Sequence, residues 1–209
     1  MGLYTYYQTN DTIMDNTIRF RASTNLTYGI YNYYNLNYHI ERNIIANFSY
    51  MGIYSYAYNI NSTNATVYNN IFNGNNTYVY TYQYGMYMYY TNGVNIYHNT
   101  MYCAGSNAYG AYISYGTNMN VKNNIFHSTG VSAYCIYIPS TGGFNSFDYN
   151  ILYSASATTF AYWGAIYTDF ASLKAGVTGY HQKSLSKVAN FVSLTNLAED
   201  LHLTARSPA

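Results

Sequence analysis

Charge is what this chain has least of: among 209 residues there are eight Lys or Arg and seven Asp or Glu, for a formal net charge of +1. Proteins that hold nucleic acid neutralise phosphates with a basic face, and a chain this bare of cations has none to offer, so nucleic acid is excluded as a partner. Long apolar runs are also missing, which excludes a membrane-spanning helix. The opening "MGLYTYYQTN" lacks the basic start and apolar stretch of a secretion signal. Cys103 and Cys135 are the only cysteines, too few for a disulfide framework and not spaced as a metal-binding pair. They fall in different columns of the repeat described below, so no disulfide between them is expected; Cys103 should point inward as a small buried residue, and Cys135 takes a glycine place at a strand start. No cofactor and no metal is expected.

What the chain has instead is tyrosine, 32 of them, set among asparagine and glycine. The stretch "YGMYMYYTNGVNIYHNTM" shows the setting, with aromatic rings at alternate positions, which favours strands over helices. An internal repeat accounts for it. Gly2, Gly29, Gly85 and Gly110 each stand fourteen residues before Asn16, Asn43, Asn99 and Asn124; a copy from Gly52 to Asn70 carries an insertion, and a sixth copy has Cys135 in the glycine place and reaches Asn150 one residue late. Three positions before each asparagine stands Ile13, Ile40, Val67, Ile96, Val121 or Phe147, and two after it Ile18, Ile45, Phe72, Met101, Phe126 or Leu152. Successive asparagines lie 27, 27, 29, 25 and 26 residues apart, a period suited to one solenoid turn made of short strands. The six asparagines are expected to point inward and hydrogen-bond from coil to coil as a ladder.

The pattern of a glycine followed by Φ-x-x-N-x-Φ resembles the right-handed parallel β-helix repeat of the pectate-lyase-like superfamily. The tail resembles the closing segment of secreted, bacterial surface-type members in Phe191 and Val192, Asp200 to Leu203, and Ser207 to Ala209, but lacks the usual proline before the Phe-Val pair. The resemblance implies an all-β fold, a right-handed parallel β-helix of about six coils over residues 1–161, with an irregular cap and tail over 162–209. Within the cap, "TDFASLKAG" predicts a short helix with Asp169 as its N-cap and Gly176 as its stop. The chain reads as a piece of a larger protein with further coils upstream. An extracellular or cell-surface location is expected.

Strand alternation assigns faces to the repeat. The residue after each repeat glycine is apolar and faces the core, so Tyr4, Tyr31, Tyr54, Tyr87, Tyr112 and Tyr137 face outward, as do Tyr6, Tyr33, Tyr56 and Tyr89 two residues further on. These ten rings form an aromatic strip, read as a stacked ladder that stabilises the sheet, as a platform on which polysaccharide rings stack, or, with the faces assigned the other way, as rings turned partly inside. Thr5, Asn32 and Ser55 fall on inward positions.

Enzymes that share this fold would need clustered carboxylates. Asp11, Asp15 and Glu41 are the only surface group of acids, with Arg42 one coil from Asp15 as an ion-pair partner. Asp148 stands alone, and His98 and His127 occupy different sides of a bend. The arcs between each asparagine and the next glycine vary in length, so "FNGNNTY" and "CAGSNAY" are expected as tolerant surface loops. The reading is a non-catalytic extracellular module, structural or adhesive, with polysaccharide as the candidate ligand. The alternative is a fragment of a polysaccharide lyase or glycoside hydrolase.

Overall fold

A computed structural model of the chain describes residues 1–21, 25–59, 61–75, 81–140, 143–194, 200–205 and 207. The chain winds as a parallel β-solenoid whose six coils each give one strand to each of three sheets. The first sheet holds Leu3–Tyr6, Tyr28–Tyr33, Met51–Tyr56, Tyr82–Tyr89, Asn107–Ser114 and Tyr134–Ile138; it gains a seventh parallel strand, Ala161–Trp163, before Ile166–Tyr167 turns back antiparallel. The second sheet runs from Thr12–Met14 to Phe144–Asp148 and the third from Thr17–Arg19 to Ile151–Ser154. Register keeps like with like: Tyr4 pairs with Tyr31, Ile40 with Val67 and Met101 with Phe126.

Three apolar columns meet inside, one from each sheet, and almost all their members are fully buried. Where the first sheet supplies only Ala111, the same coil supplies Phe126 from the third, so small and large residues fill one cross-section between them. The repeat glycines make room for this packing. A Cβ on Gly85 would lie 2.7 Å from the Gly110 carbonyl oxygen and 2.9 Å from the Met101 side chain. Cys135 ends that column, its thiol buried and 3.1 Å from the Phe160 carbonyl oxygen. Both cysteines are free, as expected, and both are buried.

The asparagine ladder forms, and its bonds run in one direction. The side-chain amide of Asn43 donates to Asn70 Oδ1 at 2.9 Å, Asn70 to Asn99 at 2.9 Å, Asn99 to Asn124 at 3.0 Å and Asn124 to Asn150 at 3.1 Å. Each accepting Oδ1 also takes the backbone N–H of the donor residue, as Asn124 takes that of Asn99 at 2.9 Å. Each amide further donates to the carbonyl three residues before the preceding asparagine, as Asn99 does to Val67 at 2.8 Å. The residue before each asparagine is left-handed: Asp15, Arg42, Asn69, His98, Asn123 and Tyr149 have φ between 52° and 58°. A left-handed non-glycine residue costs about 1–2 kcal/mol, and the ladder holds six in place.

The interior positions of Thr5, Asn32 and Ser55 are kept by hydrogen bonds. Thr5 donates to Asn32 at 3.2 Å, Asn32 to Ser55 at 2.9 Å, and the Tyr38 hydroxyl meets Ser55 at 3.1 Å. Two expectations about surfaces need correction. Asp11 does not join the surface acids: its carboxylate oxygens are buried, and burial raises its pKa. The arcs after the asparagines are also less free than their lengths suggest, because Phe72 to Gly74 and Met101 to Cys103 are buried strand residues of the third sheet. Gln83 reaches across to Ala104 N at 2.9 Å and Gly105 N at 3.1 Å, tying the next arc down. Asn76, Thr77 and Tyr78 of the longer arc lie outside the described residues.

At the far end Phe170–Gly176 is helical, and the Asp169 side chain accepts from Ser172 N at 2.7 Å. Gly176 is the last helical residue and not the stop; the left-handed turn comes at Gly179, with φ of 85°. The chain then seats residues 181–185 on the sixth coil: His181 N donates to Phe147 O, Leu185 N to Asn150 O, and Asn150 N to Ser184 Oγ. Phe191–Ser193 and Asp200–Leu203 pair as a hairpin that lies along the third sheet, with the Phe191 ring 5.8 Å from Tyr102 and 5.4 Å from His127.

Replacing Asn99 with Ala leaves the Asn70 backbone N–H and one Asn70 amide hydrogen without their acceptor, and the Val67 carbonyl without the Asn99 donor, so unfolding in urea is expected to show a loss of roughly 3 kcal/mol or more. A loss under about 1 kcal/mol would show that the ladder is dispensable. Stability should also fall in acid. His127 and His181 are buried, and desolvation pulls each pKa down to about 4; for His181 the nearby Asp148 charge opposes the shift. The unfolded chain binds these protons near pH 6.5 and the folded chain does not, so stability is lost as pH falls from about 6.5 to 4, by up to about 3 kcal/mol per histidine. His181→Leu should flatten part of that slope in denaturation curves taken across the range.

Candidate functional site

The first sheet faces outward with tyrosine, and none of its seven parallel strands contains a charged residue. The predicted column of Tyr4, Tyr31, Tyr54, Tyr87, Tyr112 and Tyr137 stands in register on this face and gains Tyr162 from the seventh strand. Tyr6, Tyr33, Tyr56 and Tyr89 form the second column. At the same register in the next coil, Ser114 is buried, so that column stops. Most of these rings are half-buried, whereas Tyr4 at the first coil is 52% exposed.

Two further aromatic columns widen the strip. Tyr84, Tyr109 and Tyr134 precede the glycine place and stack on one another, at 4.8 and 5.5 Å. Tyr7, Tyr34, Tyr90 and Tyr115 sit where the chain leaves the sheet, with left-handed φ of 51° to 56°. In this column Tyr7 stacks on Tyr34 at 5.0 Å and Tyr90 on Tyr115 at 4.7 Å. Alternation could not find these residues, because a bend moves them out of phase; the only signal was the recurrence of Tyr-Tyr at this place in three copies, Tyr6-Tyr7, Tyr33-Tyr34 and Tyr89-Tyr90.

Ring orientation decides what the strip can offer. Tyr87 and Tyr112 are 4.5 Å apart at 4°, Tyr112 and Tyr137 5.1 Å at 8°, and Tyr137 and Tyr162 4.4 Å at 14°. Parallel rings that close must overlap face to face, so within these columns ring faces are turned toward neighbouring coils. Solvent meets ring edges and hydroxyls. Burial, followed by the neighbouring phenols, raises the pKa of Tyr54, Tyr84 and Tyr87, and carries Tyr109 up to about 12. Tyr34 is pushed up to about 12 chiefly by its hydrogen bond to Tyr56. The strip is therefore a neutral array of phenol groups at physiological pH.

The strip turns a corner into an amide-lined cleft of about 410 Å3 on the second sheet. Asn61, Asn92, Asn95, Asn118 and Asn120 line it, with Asn120 donating to Asn95 at 2.9 Å and Asn92 accepting from Thr117 at 2.8 Å. Elsewhere, Arg42 grips Asp15 with two bonds of 2.8 Å, an exposed pair that solvent screens. Asp148 accepts from Lys183 N at 2.7 Å and fastens the cap. His98 is exposed while His127 is buried against Tyr153. Among the described residues no three His, Cys, Asp or Glu side chains gather as metal ligands, and no helix is long and apolar enough to cross a membrane.

A family model described as right handed beta helix region matches residues 2–171, which takes in every coil of the solenoid. The chain belongs to the right-handed β-helix family. No curated protein and no solved structure matched it. The asparagine ladder, the glycine column and the tyrosine strip all lie within the matched residues.

Tyrosines whose folded pKa lies above 10 stabilise the fold below that pH, and the contribution is lost as pH rises toward their folded values. Ultraviolet titration is thus expected to show a tyrosine fraction that resists ionisation up to about pH 12 and then appears together with loss of the β-sheet dichroism. Ionisation of all tyrosines near pH 10 with the sheet intact would contradict the packing described.

Proposed function

We propose that this β-helix is a non-catalytic extracellular module, structural and adhesive in role, whose first sheet binds polysaccharide. The observation that carries the reading is an uncharged first sheet, seven strands long, edged with phenol hydroxyls and bordered by an amide-lined cleft. Hydroxyl and amide groups both donate and accept, matching the donors and acceptors of a neutral glycan. Repetition along the coils lets weak contacts add up along a polymer. Because the ring faces are largely taken by neighbouring rings, the contacts are hydrogen bonds to the phenol rim and edge contacts, with sugar stacking confined to exposed outer rings such as Tyr4 and Tyr115.

That distinction sets the experiment. Changing Tyr54, Tyr87 and Tyr112 together to Phe removes three central hydroxyls and keeps the rings stacked. Retention of the variant on a high-mass polysaccharide, read by affinity electrophoresis over a panel of neutral and acidic glycans, is expected to fall at least about tenfold, with the thermal midpoint nearly unchanged. The same three positions changed to Ser should lower the midpoint as well. An unmutated protein that no glycan in the panel retards would overturn the reading and leave stacking as the strip's role.

A further inference from the structure

The stacked rings have a chemistry that needs no ligand. Along the central column every ring touches the next: Tyr4 to Tyr31 at 5.4 Å, then 4.6, 5.5, 4.5, 5.1 and 4.4 Å to Tyr162. The first three contacts are tilted by 31° to 47°, while the last three lie within 14° of parallel. The side chains that give up one electron as readily as phenol are shielded, since Trp163 is 4% exposed and both cysteines are fully buried; Met1 and Met14 are exposed, but a thioether is the harder one-electron donor. An oxidising equivalent arriving from solvent therefore falls on phenols and can pass between touching rings.

We propose that this column is a site of oxidative cross-linking between coils, in which a one-electron oxidant, such as a haem peroxidase using hydrogen peroxide, joins Tyr87 to Tyr112 and Tyr137 to Tyr162 as dityrosine. Each phenol gives up one electron and its hydroxyl proton. The unpaired electron of a phenoxyl radical has density on the ortho carbons, in orbitals perpendicular to the ring. Offset-stacked parallel rings aim those orbitals at each other. A carbon–carbon bond forms between two ortho carbons, and the hydrogen on each moves as a proton to the ring's own oxygen, restoring both aromatic systems. The two electrons and two protons released reduce one hydrogen peroxide to two waters. The products are covalent rungs beside the hydrogen-bonded ones, joining neighbouring coils that the chain itself connects only through a full turn. Tilted pairs such as Tyr54 and Tyr87 are poorer couples.

The protein is treated with haem peroxidase and limiting hydrogen peroxide, at a dilution where molecules rarely meet. Dityrosine fluorescence should appear while the chain remains monomeric on a denaturing gel, its mass lower by two hydrogens per link. Peptide mapping should place the links at Tyr87 with Tyr112 and Tyr137 with Tyr162. Their yield should exceed that from urea-unfolded protein by at least about tenfold, because the fold holds the partners at high effective concentration. Tyr112→Phe keeps the ring in the stack and should abolish the first link and spare the second. No dityrosine in the monomer, or links spread over tyrosines that the fold does not stack in parallel, as in the unfolded chain, would overturn the proposal. So would coupling confined to dimers.

Discussion

Everything in this molecule hangs on how the chain satisfies its polar groups at the corner between the second and third sheets. A corner interrupts the strand ladder and leaves buried N–H and C=O groups to be paired. The ladder asparagine meets that demand with one side chain: its oxygen accepts both the amide and the backbone N–H of the preceding coil, and its own amide donates to the next oxygen and to a carbonyl of the preceding coil. Because each residue completes its neighbours, the corner has the same geometry in all six coils, and the left-handed residue before it is held in place even where it is Arg42 or His98. The short, invariant stretch from the second-sheet core residue to the third-sheet core residue follows from this. Length can vary only in the other arcs.

Identical corners produce identical columns, and identical columns of tyrosine have a consequence that separates structure from binding. Strand spacing of about 4.8 Å suits offset stacking, so the same regularity that paves the sheet with rings turns their faces away from solvent. Stabilisation therefore uses the ring faces and leaves the ring edges and hydroxyls at the surface. A sheet without charge can be stable in this way, because the cross-strand contribution that ion pairs make elsewhere comes here from aromatic contact.

How much of this was legible in the sequence follows the same logic. The period, the glycine column, the three core columns and the asparagine ladder were all legible, since each is a constraint of residue type at fixed spacing. Alternation sent the polar Asn32 and Ser55 inward, which argued against the assignment of faces, yet both are buried there. What escaped depended on backbone conformation and not on residue type. The left-handed Tyr7, Tyr34, Tyr90 and Tyr115 break alternation, and the corner residues Arg42, His98 and Tyr149 carry no mark of the φ they adopt. Asp11 looked like a surface acid and turned its carboxylate inward. The tightness of the arcs was hidden as well, because it rests on Gln83 reaching into the coil that follows it. Ring orientation was beyond any sequence pattern, being set by how neighbouring side chains share space.

The end of the ladder shows why the cap is built from the residues it has. The amide-to-amide bonds run toward the C-terminal coil and end at Asn150, whose own amide donates back to Val121 O at 3.0 Å and whose backbone N–H needs the acceptor a further coil would supply. Ser184 accepts that N–H, in the seat a seventh asparagine would occupy. Its hydroxyl accepts the Asn150 N–H at 3.1 Å and lies 3.4 Å from the Asp148 carboxylate, a group that only accepts. Asp148 is held in turn by the N–H groups of Tyr149 and Lys183, so the direction of donation ends on a charge fixed by backbone donors from both the last coil and the cap. Three residues before Ser184 stands His181, where the repeat would place an apolar side chain. It is fully buried against Phe147 and Trp163 and stays neutral there. The cap thus imitates one more coil with weaker groups, a hydroxyl for an amide and an imidazole for an alkyl chain. In acid the imitation should fail at His181, as the hairpin's seat against the third sheet should at His127, because both imidazoles are buried uncharged.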